Sequence, residues 1–148
     1  MAANPEFFFS LDAANLPAVW AARALYHLPY SHAAMRCEEL DGANHYRSRR
    51  HGTAAELIAG YGPVSEVQIR DNDSIERGLT ERCCLSSVHR GRVYGGEIHP
   101  LPWPLQDAHA DFTVNTWAQA AGIGLPTSAP LLHFARRLEV LLWPLRRV

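Results

Sequence analysis

The chain has 148 residues, 47% of them hydrophobic and 20% charged, with a formal net charge of -1, values that fit a single globular domain over 1–148 and exclude a general polyanion binder. All fourteen basic residues are arginine, which closes Schiff-base chemistry through a lysine amine, because guanidinium keeps its proton at accessible pH. The start "MAANPEFFFSLDA" lacks the basic and long apolar regions of a signal peptide, no apolar run reaches the about 18 residues of a membrane span, and Cys37, Cys83 and Cys84 form no disulfide framework, so a cytoplasmic protein is expected.

Phe7, Phe9 and Leu11 alternate with polar or opposite-facing positions, which predicts a first strand. Asn15 caps a helix that takes Pro17 in its first turn and runs to about Leu28, where Pro29 stops it; Leu16, Val19, Trp20 and Ala24 would pack on a sheet. Ala33, Met35 and Cys37 then alternate with His32, Arg36 and Glu38, and Asp41-Gly42 signals a hairpin into "HYRSRRHG". A strand through Ala55, Leu57, Ala59 and Tyr61 follows. Asp73 with Glu76 resembles a capping box, predicting a short helix from Ser74 to about Arg82. Arg90-Gly91 separates strands Leu85 to His89 and Arg92 to His99, and another surrounds Ala108 to Phe112. Asn115 or Thr116 starts a short helix ended by Gly122, and "PLLHFARRLEVLLWPLRRV" reads as one long strand stopped by Pro144. Many strands and few helices, without strand–helix alternation, predict an α+β fold dominated by antiparallel β structure.

Several residues are candidates for chemistry. On the long last strand Arg136 shares a face with Leu132, Phe134, Leu138, Val140 and Leu142; a guanidinium facing an apolar layer must meet a bound carboxylate, pair with an internal acid, or turn outward at a bulge. Glu97 and His99 project to one side of their strand, as an acid–imidazole pair for proton transfer or as a solvated strand face. Glu81, before Arg82 and two cysteines, is either a buried acid or a helix-end charge. Arg47 belongs to the densest basic cluster, Tyr46 to Arg50, which strand alternation splits between two faces and which a solvated surface explains better than nucleic acid does. No CxxC, HExxH, GxSxG, P-loop or dinucleotide-binding glycine pattern occurs, so no metal and no cofactor are expected. In "GEIHPLPWPLQ" the alternating prolines remove every second N–H donor, so the segment suits a strand crossing or rim that holds Trp103 and Gln106 at a pocket or in the core.

The blocks "FFFSLDAAN", "AVWAARALYHLPYSHAAMR", "HYRSRR", "LTERCCL", "GEIHPLPWPLQ" and "LLHFARRLEVLLWP" together resemble the bacterial YqjF-like family of uncharacterised proteins. The resemblance implies an acetoacetate-decarboxylase-like antiparallel β-barrel with an internal pocket for a small carboxylate or keto compound. It also implies an N-terminal portion ahead of "FFFSLDA", so this chain is expected to form an incomplete barrel whose open edge a second copy could complete. The expected function is binding of a small carboxylate or keto compound, with Arg136, Trp103, Gln106 and Arg47 as ligand contacts. Glu81, Glu97 and His99 are the expected acid/base groups of any non-Schiff-base reaction. Pure binding, or a fragment dependent on a partner, are the alternatives.

Overall fold

The computed structural model describes residues 5, 6, 8, 10–71, 73–80 and 84–148, with the backbone alone at 5, 6, 99 and 100. In chain order the elements are β1 (Pro5–Glu6), β2 (Leu11–Ala13), α1 (Leu16–Leu25), β3 (Tyr30–Leu40), β4 (Ala43–Arg50), β5 (Glu56–Pro63), α2 (Ile75–Thr80), β6 (Cys84–His89), β7 (Arg92–Pro100), β8 (Gln106–Asn115), α3 (Trp117–Ala120), β9 (His133–Phe134), β10 (Val140–Leu142) and β11 (Arg146–Arg147). The larger sheet, β2-β3-β4-β5-β8-β9, curls into a half-barrel; the smaller runs β1-β6-β7-β10, with β11 also on β7. Pairing is antiparallel except for β1 on β6 and β2 on β3.

Local chemistry sets these elements. The Asn15 side chain accepts the Ala18 N–H at 3.0 Å and so starts α1. Two hairpins turn on adjacent left-handed residues, Asp41 (φ 53) with Gly42 (φ 80) and Arg90 (φ 50) with Gly91 (φ 73), the backbone that two-residue turns of type I′ require. Between the pairs Ile58–Val114 and Ala59–Phe112 the extra residue Thr113 forms a bulge that bends β8 where it meets β5 and increases the local twist. Gly96 lets the chain's last segment lie on β7, since a Cβ there would come within 2.9 Å of the Leu145 side chain and 3.3 Å of the Trp143 carbonyl.

Among the described residues Val19, Ala33, Ala55, Ala59, Leu85 and Leu105 are the buried apolar residues, with Ser48 and Ser87 among them. A buried ion pair fastens β2 to β4. Arg50 Nε donates to Asp12 Oδ1 at 2.7 Å, with the two side chains 14% and 2% exposed, and Ser10 Oγ takes a second Arg50 donor. Beside it Tyr46 meets Trp117 edge-on at 6.4 Å, and Tyr61 meets Phe134 at 6.3 Å. Burial pushes both phenols above their ordinary pKa, with Asp12 and Cys37 reinforcing the effect at Tyr46 and Cys37 at Tyr61, while the Ser48 side chain opposes it at Tyr46.

Four expectations need correction. The α1 helix stops at Leu25, short of Pro29, because His27 turns left-handed (φ 51) and a tight turn centred on Pro29, closed by Tyr30 N–H to Leu28 C=O at 2.8 Å, returns the chain alongside β2. On that helix only Val19 is buried, and Trp20 is 67% exposed. Ser74, not Asp73, holds the start of α2, accepting the Arg77 N–H at 3.2 Å. The long final strand is three short ones, since β9 pairs with β8 in the half-barrel whereas β10 and β11 pair with β7 in the other sheet. Residues 135–139 carry the chain between the sheets, and Arg136 lies on that crossing, so the single apolar face assumed around it does not form. Of the residues assigned to the first predicted strand, Leu11 opens β2, while Phe7 and Phe9 lie outside the described residues.

Candidate functional site

The proline run makes its turn at Pro104, where the Leu105 N–H donates to the Trp103 carbonyl at 2.9 Å. Proline's fixed φ suits the centre of such a three-residue turn, which delivers buried Leu105 and half-buried Trp103 to the root of β8. Beyond β5, residues 64–70 lie along that root: Val64 N–H bonds the Asp107 carbonyl at 2.8 Å and Gln68 N–H the Leu105 carbonyl at 2.7 Å. Ser65 locks the alignment, its hydroxyl accepting the Asp107 N–H at 2.8 Å and its carbonyl accepting the Gln106 side-chain amide at 2.6 Å.

This frame gathers four charged or titratable side chains that are distant in sequence. β9 sets His133 directly opposite Asp107. His133 Nε2 lies 3.6 Å from Glu76 Oε1 on α2 and 3.9 Å from Asp107 Oδ1; the His133 and Glu76 side chains are 15% and 18% exposed. Arg70 closes the row by donating to Asp107 and, through Nη1, to Gln68 Oε1 at 2.9 Å. A cavity of ≈ 250 Å³ opens on the Glu76–His133 end, walled by Leu79, Thr80, Trp103, Leu105 and Leu131. Across Thr80, Trp103 and Leu105 lies a second cavity of ≈ 20 Å³, lined also by Arg70. The Trp103 indole N–H and Arg70 Nε are buried and have no acceptor among the described residues. The site thus presents an acid–imidazole pair at an apolar pocket, with two unsatisfied donors behind its wall.

Of the residues expected from sequence, Trp103 is in this pocket and Gln106 braces its frame. Arg47, on β4, is not among the residues of this pocket; it lies 3.2 Å from Glu56 and is largely exposed. Arg136 is 67% exposed and makes a two-pronged ion pair with Glu39, both contacts 3.2 Å. Glu97 pairs with Cys84 across β6 and β7 and lines a separate crevice of ≈ 360 Å³ with Trp143, Pro144 and Arg146. His99 pairs through its backbone with Leu141. Glu81 lies outside the described residues. Glu76, Asp107, His133 and Arg70 carried no sequence signal of a shared site; Glu76 reads only as part of a helix start. No group of three or more His, Cys, Asp or Glu suited to a metal occurs among the described residues. No helix there is long and apolar enough to cross a membrane.

The fold and site define a mostly antiparallel β protein with a curled half-barrel and a small polar-ended pocket. Its family follows from comparison: residues 7–139 match the DUF2071 family, described as an uncharacterized conserved protein, and the chain belongs to that family. It is 44% identical over 142 residues to the uncharacterized protein YqjF of Bacillus subtilis (strain 168), a match covering 95% of this chain and 59% of that protein. The chain therefore spans less than two thirds of that relative's length. No solved structure matches.

Proposed function

We propose that the protein binds a small carboxylate or keto compound in the Trp103 pocket and moves a proton on it through the Glu76–His133 pair. The half-barrel is read here as part of an acetoacetate-decarboxylase-like barrel. The observation that carries the proposal is a 3.6 Å acid–imidazole pair, more than four-fifths buried, on the wall of a ≈ 250 Å³ apolar cavity. That volume lies just under the usual range of about 300–1,000 Å³ for ligand pockets, which restricts the occupant to a few heavy atoms. The Trp103 N–H suits an oxygen acceptor such as a carboxylate or carbonyl. Glu76 orients the imidazole, and His133 exchanges the proton. With arginine as the sole basic side chain besides histidine, the pair supplies the acid/base group that no lysine can.

Deuterium exchange at the carbon beside the carbonyl of short oxo acids, followed by proton NMR in heavy water, tests the reading. Catalysed exchange that His133→Gln and Glu76→Gln each lower by about 10²-fold or more is expected. Trp103→Phe should weaken ligand-dependent fluorescence changes. Exchange equal in wild type and His133→Gln overturns the catalytic role, and an absence of any Trp103-dependent signal with oxo acids or carboxylates overturns the binding site.

A further inference from the structure

We infer that two copies of this chain join edge to edge along β3, extending the half-barrel sheet across a two-fold axis at Cys37. The inference stands apart from the pocket and rests on the geometry of one strand. β4 pairs with β3 along Ala33–Leu40, whereas β2 reaches only Tyr30–His32, so among the described residues the outer edge of β3 beyond His32 has no strand partner. The two-residue turn at Asp41-Gly42 makes Leu40–Ala43 the first doubly bonded pair of the hairpin. Alternation then directs the N–H and C=O groups of Met35, Cys37 and Glu39 to the open side, a ready template for another strand.

Charged residues on an edge normally repel a second strand, but here their order is self-complementary. An antiparallel pairing centred on Cys37 sets Arg36 opposite Glu38 of the second copy, and Glu38 opposite its Arg36. Within one chain Arg36 and Glu38 pair at 2.6 Å, and both side chains are well exposed, at 76% and 57%, so the same charges can exchange partners across the axis. Leu40, 61% exposed, falls opposite Ala34. Moving the axis to Met35 or Glu39 removes both charge pairs, and at Glu39 it sets two carboxylates face to face. Surface for such an interface is available: the chain exposes 10536 Å², against roughly 7,600 Å² for a compact monomer of its mass. The excess is ample for the roughly 800 Å² per partner of a standard interface.

Sedimentation equilibrium of the full chain is expected to give a dimer. Arg36→Glu and Glu38→Arg each turn two attractive cross-strand pairs repulsive and should weaken dimerisation by about tenfold or more, while the double reversal R36E/E38R restores it. Circular dichroism verifies that each variant is folded. Mild oxidation with diamide should link the copies through Cys37, whose Cα atoms would stand about 5.5 Å apart; each thiol loses its proton, and the diamide accepts the two electrons. The link should vanish in Cys37→Ser. A monomeric wild type, a dimer indifferent to either single reversal, a double reversal that fails to restore association, or cross-linking that survives Cys37→Ser overturns the inference.

Discussion

The Asp12–Arg50 pair shows how one side chain decides between two faces of a basic cluster. Arg47 and Arg49 belong to the opposite face of β4 from Arg50, which turns inward to a carboxylate only 2% exposed. Replacing Asp12 with alanine leaves the buried guanidinium without its counter-charge, so a loss of about 3–5 kcal/mol is expected in urea unfolding. The paired apolar change Asp12→Leu with Arg50→Met should recover most of it, since no charge then remains to be desolvated. Tyr46 next to this pair makes a pH prediction. Burial holds its folded pKa above the ordinary 10.0, so the unfolded chain ionises first. Its contribution to stability is complete below about pH 10 and is lost as pH rises through the folded value. Tyrosinate absorbance should show a late-titrating component that Tyr46→Phe reduces and Tyr46→Phe with Tyr61→Phe removes.

At the scale of elements, short contacts do what long periodic stretches do elsewhere. Thr116 does not cap α3 through its side chain; its hydroxyl accepts the Glu56 N–H at 2.8 Å and donates to the Ala54 carbonyl at 2.7 Å, stitching the end of β8 to the start of β5. Thr116→Val keeps the shape and removes both bonds, with an expected loss of about 1–3 kcal/mol in chemical denaturation. Gly96 works by omission, allowing the final segment to cross β7 at close range. Gly96→Ala forces Leu145 to shift and should cost about 1–3 kcal/mol. Hydrogen exchange at Val148, whose N–H bonds the Val93 carbonyl at 3.1 Å, should accelerate.

The described residues form a thin core and leave much apolar surface exposed. Ile69, Ile75, Leu101, Leu141 and Trp20 are each at least 65% exposed, and a chain folded around so few buried residues draws little hydrophobic stabilisation from itself. The association inferred along β3 would couple folding to assembly. The melting temperature should therefore rise with protein concentration across a hundredfold range, and Arg36→Glu should flatten that dependence. A concentration-independent melting temperature would show that the chain stabilises itself alone.

Local features were legible in the sequence. The Asn15 cap, the Asp41-Gly42 and Arg90-Gly91 turns, the strands between them and the rigid bend around Trp103 follow from backbone preferences within a few residues of each turn or cap. Family membership was legible too, through blocks spread over nearly the whole chain. What only the tertiary structure decided was every choice between partners far apart in sequence. It split the last apolar stretch between two sheets, placed Arg136 on the crossing with Glu39, and set His133 beside Glu76 at the Trp103 pocket. A strand's periodicity specifies which residues share a face but not which strand lies beside it, and the chemistry of this site depends on that neighbour.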